Sequence, residues 1–225
     1  MMTRFNSSVL GMRAAIFDLD GVLADTEPVS FQILRDFIAP KEITWATYQA
    51  LIGKSGRDFA AWLKETYEFN ESVDMLQAAA NQYREDRIRE MSVPEMPGAS
   101  ALITHLKQND MKLAVASQSS TKWVNAILKS SNLESFFDLV ITADEVKRPK
   151  PCPDIYIEAA TRLEVMPKKC VVFEDSLTGI TSALSAKMLT IQLRQATPQP
   201  PVAIGADLVI NSFDEFLSEY LKNEI

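Results

Sequence analysis

The sequence predicts an α/β protein: a doubly wound, Rossmann-like parallel sheet interrupted by an inserted α-helical cap domain. Three observations carry this reading. From residue 99 onward, short apolar runs alternate with stretches of helical spacing, the pattern of a parallel sheet covered on both faces. Residues 28–91 hold apolar positions at helical spacing with no strand-like run among them. The breaker cluster Pro94-Glu95-Met96-Pro97-Gly98 separates the two blocks. The division is therefore an α/β core of residues 1–26 and 95–225 and a four-helix cap of residues 27–94.

Each element has its own signal. Ala14-Ala15-Ile16-Phe17 is a short apolar run ended by Asp18, as expected of a buried strand that opens at a sheet edge. An extended backbone aims Asp18 and Asp20 the same way, and Gly21 lets the chain turn sharply; taken alone, though, Asp-x-Asp-Gly is also an ordinary turn sequence. Pro28 suits the first turn of a helix presenting Phe31, Leu34, Phe37 and Ile38. A second helix runs over 44–52 through Trp45, Tyr48 and Leu51. A third takes Ser55 as N-cap and carries Phe59, Trp62, Leu63 and Tyr67, and a fourth spans about 73–91. In the second block, helices are predicted over 99–108, 121–130, 154–163, 177–186 and 213–221. Strands are predicted over 112–116, 139–142, 170–173, 189–193 and 207–210. An insert placed directly after the first strand is expected to stand over that strand's carboxyl end, where open α/β sheets bind ligands.

Composition narrows the function classes. A formal net charge of -7 argues against a nucleic-acid backbone or an anionic membrane as partner, while one local cation or metal still permits a small phosphorylated molecule. Cys152 and Cys170 make no disulfide framework, so a reducing, cytoplasmic location is the simplest expectation. No apolar run approaches a membrane span, and residues 1–12 do not read as a secretory signal; Met12 is an alternative start.

Chemistry collects at four strand ends: Asp18 and Asp20, Ser117-Gln118, Lys150, and Glu174-Asp175. In a parallel sheet these share one edge. Four carboxylates with one Lys and one hydroxyl suit a hard divalent ion bound through oxygen, Mg²⁺ being the expected one, with room left for a phosphate. Neutralised in this way, Asp18 is usable as a nucleophile and Asp20 as general acid and then base. Ser117 and Gln118 face the phosphate oxygens, while Lys150 steadies charge in the transfer.

Asp18-Leu19-Asp20-Gly21-Val22, Ser117, Lys150-Pro151-Cys152-Pro153-Asp154 and Phe173-Glu174-Asp175-Ser176 resemble, in order and content, the four motifs of the haloacid dehalogenase superfamily. The nearest branch is the one holding β-phosphoglucomutases, phosphoglycolate phosphatases and small sugar-phosphate phosphatases, and the resemblance covers nearly the whole chain. It implies an aspartyl-phosphate on Asp18, with Asp20 as acid/base that also lends its backbone carbonyl to Mg²⁺. Asp175 would be a direct metal ligand, and Glu174 a ligand directly or through water. True dehalogenases of the superfamily lack the second aspartate, so Asp20 argues for phosphoryl chemistry. Two positions depart from the pattern. Ser30 stands where the mutase branch carries a histidine, and Lys187 stands where a left-handed glycine is usual, at a cost of about 1 kcal/mol.

The expected function is that of a Mg²⁺-dependent phosphatase of a small phosphorylated metabolite. A phosphomutase of the same substrate class and a catalytically silent binding protein are the alternatives, and oligomeric state is left open. In the cap, Lys54, Ser55 and Arg57 are candidates for substrate contact, with ordinary surface charge as the equal alternative. Ser117 doubles as a candidate cap of the following helix. His105 and the three tryptophans, Trp45, Trp62 and Trp123, read as packing residues, and nothing beside Cys152 argues for a reactive thiol.

Overall fold

The computed structural model describes residues 11–220. The readings that concern residues 1–10 and Leu221 lie outside them. Among the described residues no helix is long and apolar enough to cross a membrane.

The chain opens with β1 (Ala14–Phe17), buried at every position. Four helices follow: α1 (Glu27–Ile38), α2 (Trp45–Gln49), α3 (Gly56–Tyr67) and α4 (Val73–Arg87), the last continued by a 3₁₀ turn over Ile88–Glu90. Then come α5 (Ala99–Gln108), β2 (Lys112–Ala116), α6 (Thr121–Ser130), β3 (Leu139–Ile141), α7 (Asp154–Arg162), β4 (Cys170–Glu174), α8 (Leu177–Ser185), β5 (Leu189–Leu193), β6 (Leu208–Ile210) and α9 (Phe213–Tyr220). The chain divides into two compact units, one of residues up to Asp25 and from Val93 onward, the other Thr26–Ser92.

In the helical unit, Thr44, Ser55 and Ser72 cap α2, α3 and α4 by accepting a backbone N–H with the side-chain oxygen. Leu34, Ile38, Ile43, Tyr48, Leu51, Leu63 and Leu76 form its core, and Trp45 and Trp62 pack against them. The second helix is shorter than its periodicity predicts. Gly53 takes a φ of +84°, and the chain leaves α2 through turns in which Leu51 N–H donates to Tyr48 O and Ile52 N–H to Gln49 O.

The other unit is a six-stranded parallel sheet in the order β3-β2-β1-β4-β5-β6. Strand order reverses at β1, the position at which such sheets open a crevice at their carboxyl edge. Phe17 lies beside Val115 on β2 and Phe173 on β4. The ladders continue one residue further, with Asp18 N–H donating to Phe173 O at 3.0 Å and Ser117 N–H to Ile141 O at 3.1 Å. Asp18, Ser117 and Glu174 therefore leave the sheet together. On one face Ile16, Ala114, Ala116 and Val172 pack with Ile155, Tyr156, Ala159 and Ala160 of α7. Elsewhere in this core Phe17 stacks on Phe173 at 4.8 Å, and Phe173 meets Phe213 and Phe216 of α9 edge-on.

Ser117 does not cap the following helix. That place belongs to Ser120, whose hydroxyl accepts the Trp123 N–H, because four residues separate the end of β2 at Ala116 from the start of the helix at Thr121. Lys187 adopts the left-handed φ of +59° expected at the position where glycine is usual.

Asp138 pins the entry to β3. Its carboxylate accepts the buried Leu113 N–H at 2.7 Å and the Lys107 ammonium at 2.7 and 2.8 Å. Burial pushes this carboxyl up, but the hydrogen bonds from Lys107 and Leu113 more than offset that and hold it below its ordinary range. The folded value being the lower one, the stabilisation is present above the ordinary carboxylate range and is lost as pH falls through the folded value. Asp138→Ala should destabilise the protein by about 1–2 kcal/mol at neutral pH, since the Leu113 N–H loses its acceptor. Urea unfolding of both proteins should show the gap narrowing in acid; a gap that is constant with pH would refute the ionic part of the account.

Candidate active site

Lys150 is the centre of the site. It sits in the loop between β3 and α7, and its side chain is 2% exposed. Nζ lies 2.6 Å from Asp18 Oδ1, 2.5 Å from Glu174 Oε1 and 3.1 Å from the Ala116 carbonyl oxygen. An ammonium has three donors, and here each has an acceptor. The Tyr156 ring lies 5.0 Å from the same nitrogen. Arg148 helps to hold the loop by a two-pronged pair with Asp154, the first residue of α7.

Glu174, the last residue of β4, is fully buried and accepts from every side. Oε1 takes the Tyr156 hydroxyl at 2.9 Å in addition to Lys150, and Oε2 takes both the N–H and the hydroxyl of Ser176 at 3.0 Å. Its buried charge is thus paired and hydrogen-bonded, as burial requires.

The ligand atoms of Asp18, Glu174 and Asp175 all lie within 4.8 Å of one another. One ammonium therefore faces three carboxylates. Burial pushes the Asp18 carboxyl up to about 7; Lys150 opposes this, and the charges of Glu174 and Asp20 add to it. Asp175 is raised well above its ordinary value by burial and then by Glu174 and Asp18. For Lys150 burial works the other way, but Asp18 and Glu174 outweigh it and hold the amine well above its usual value. The surplus negative charge and the all-oxygen donor set fit a hard divalent cation such as Mg²⁺.

Asp20 stands apart from that trio. Its Oδ2 accepts the Ser119 hydroxyl at 2.9 Å and its Oδ1 the indole N–H of Trp123 at 3.0 Å. Ser117 is 1% exposed and uses its hydroxyl oxygen to accept the Ser119 N–H at 3.1 Å. The Gln118 side-chain amide donates to the Lys150 carbonyl at 3.1 Å, tying the segment after β2 to the lysine loop. The cap candidates belong to the helical unit. There Ser55 caps α3, Arg57 pairs with Asp74, and Lys54 is exposed. Cys152 and Cys170 are both free; burial raises the Cys170 thiol to about 11, which keeps it unreactive.

Sequence reasoning missed a second layer. Tyr156 lies buried on the apolar face of α7 and was not singled out; a buried tyrosine hydroxyl needs a partner, and that requirement was the available signal. Trp123 reads as packing from its helical spacing. Gly179 is an isolated glycine inside a helical run, a mark of close approach. A Cβ built there would lie 1.7 Å from Glu174 Oε1. Gly21, at a φ of +76°, has Asp175 Oδ2 2.5 Å from where its Cβ would be.

Comparison with known proteins bears on the whole chain. The model of the family "Haloacid dehalogenase-like hydrolase" matches residues 15–193. A phosphorylated carbohydrates phosphatase of Thermotoga maritima is 34% identical over 177 residues, covering 78% of this chain and 82% of that protein. A beta-phosphoglucomutase of Bacillus subtilis is 29% identical over 231 residues, covering 95% of each. Among solved structures, CbbY from Rhodobacter sphaeroides in complex with phosphate superimposes with a TM-score of 0.76 at 26% identity, over 91% of this chain and 96% of that one.

Alanine in place of glycine inside a helix ordinarily stabilises by about 1 kcal/mol. At position 179 the added methyl must drive Glu174 from Lys150 and Tyr156, and breaking that buried pairing should cost about 2–4 kcal/mol instead. Urea unfolding of Gly179→Ala reads the sign directly, and a more stable variant would contradict the packing described.

Proposed function

Because this chain belongs to the haloacid dehalogenase-like hydrolases and is one of their phosphatases, we propose that it hydrolyses a small phosphorylated carbohydrate by way of an aspartyl-phosphate on Asp18. The observation that carries this reading is the bond from Lys150 to both Asp18 and Glu174, with Asp175 alongside. Asp18 Oδ1 is held by the lysine, which orients the carboxylate and balances part of the charge that would repel a phosphate ester.

In the first step an Asp18 oxygen bonds to phosphorus as the bond to the sugar oxygen breaks, and Asp20 gives its proton to that oxygen. In the second, Asp20 takes a proton from water, the water oxygen bonds to phosphorus, and the acyl phosphate bond breaks to free Asp18 and inorganic phosphate. Ser117 and the backbone N–H groups after β2 are the groups proposed to bind the transferring oxygens, with Gln118 bracing the loop. Asp18, Asp175 and the backbone carbonyl of Asp20 would hold Mg²⁺, with Glu174 beside them; the ion supplies neutralisation of the phosphoryl charge. In the helical unit Lys54, Ser55 and Arg57 are the proposed substrate contacts.

Support for hydrolysis over phosphoryl return comes from Ser30, which occupies the position of the mutase histidine. The relative named for phosphorylated carbohydrates supports the substrate class.

A panel of sugar phosphates incubated with Mg²⁺ should release inorganic phosphate. Chelation should abolish the release, and Asp18→Asn should lower it by about three orders of magnitude or more. Interconversion of sugar phosphates that depends on a bisphosphate activator, in place of release, would overturn hydrolysis in favour of the mutase. Absence of turnover with every ester would favour a silent binding protein.

A further inference from the structure

We infer that Trp123 is a positioning residue for the acid/base Asp20, holding its carboxylate through the indole N–H so that the proton it transfers is carried by the other oxygen. This rests on the acid/base role given to Asp20 above.

The geometry comes from one short segment. Ser119, on the turn after β2, and Trp123, in the first turn of α6, lie four residues apart, and each holds a different oxygen of Asp20, at 2.9 and 3.0 Å. A carboxylate gripped at both oxygens is fixed in both position and plane. Trp123 itself is 1% exposed, and its helix packs Val124, Ile127 and Leu128 into the core, so its N–H is anchored by the hydrophobic interior.

The two partners differ in kind. An indole N–H can only donate, whereas a serine hydroxyl can donate or accept. Oδ1 therefore faces a donor in both protonation states of Asp20, and the transferable proton belongs on Oδ2. There the Ser119 hydroxyl can turn from donor to acceptor as the proton arrives and leaves. Packing alone asks only for the ring, and phenylalanine would supply most of that. What phenylalanine lacks is the N–H.

The test separates the two roles by leaving group. Loss of a sugar alkoxide needs a proton from Asp20, whereas p-nitrophenolate leaves without one. The ratio kcat/KM reports only the steps up to phosphoryl transfer. For Trp123→Phe, kcat/KM on a sugar phosphate should fall about 10-fold or more through kcat, with KM held. On p-nitrophenyl phosphate it should stay within about 2-fold. Equal losses on both esters, or no loss on either, would overturn the inference while leaving the hydrolase reading intact. A wild-type protein that turns over neither ester would remove both.

A second measurement needs neither turnover nor the Trp123 variant. The three indole N–H resonances can be assigned by elimination with Trp45→Phe and Trp62→Phe. In Asp20→Ala the Trp123 resonance should move upfield as its hydrogen bond is lost, with the other two unmoved. A stationary Trp123 resonance would overturn the contact itself.

Discussion

The structure depends on one buried ammonium. Lys150 is surrounded by Asp18, Glu174 and the Ala116 carbonyl, and it balances only part of the charge that Asp18, Glu174 and Asp175 bring to the same place. Burying a charge without partners costs several kcal/mol, so the lysine and the carboxylates make each other tolerable in the interior. The balance is still negative. Burial raises Asp18 and Asp175 first, and the uncompensated charge of the neighbouring carboxylates raises them further; a divalent cation would offset that second part.

The sheet register is what makes this pairing available. Pairing Phe17 with both Val115 and Phe173 lets Asp18, Ser117 and Glu174 emerge on one edge, although they are far apart in the chain. A slip of one residue in either ladder would turn the displaced side chain to the opposite face. The register is in turn held by the contents of the strands: small residues on β1 and β2 where α7 packs, and the Phe17–Phe173 stack in the same core. The hydrophobic core thus sets the positions of the acids to within a hydrogen bond.

This also explains what could be read from the sequence. Asp18, Ser117, Glu174 and Asp175 each stand at or just after an apolar run, and strand ends in a parallel sheet are forced together, so periodicity was enough to gather them; Lys150 lies nine residues beyond the end of β3, and its place in the ordered set of motifs was what pointed to it. Element bounds moved at strand ends as well as helix ends: β3 stops at Ile141, β4 takes in Glu174, β6 starts at Leu208, and turns replace the last predicted residues of α2 and α4. The second layer was opaque for a physical reason. Helical spacing shows which face a tyrosine or tryptophan buries, but not where its polar tip ends, because that depends on distances between elements. Trp123 was placed correctly as a packing residue and understood only by half, and Tyr156 drew no reading at all. Gly179 was legible only as a close approach and not as to what approaches it, since its contribution is the volume it leaves free for Glu174.

Asp18 and Asp20 are two residues apart and chemically identical, yet their surroundings differ in kind. Asp18 is gripped by a cation among other acids, whereas Asp20 is held by a hydroxyl and an indole, both neutral. The cation opposes the rise that burial and the neighbouring acids impose on Asp18 and fixes one of its oxygens, while two neutral donors fix the position and plane of Asp20. The proposed division of labour therefore follows from which loop each carboxylate meets: the lysine loop before α7 for the attacking group, the start of α6 for the proton carrier. Exchanging the two environments would leave the same side chains in the sequence and remove the reason for the chemistry, because a proton carrier locked by an ammonium and a nucleophile held only by neutral donors would each be fitted to the other's task.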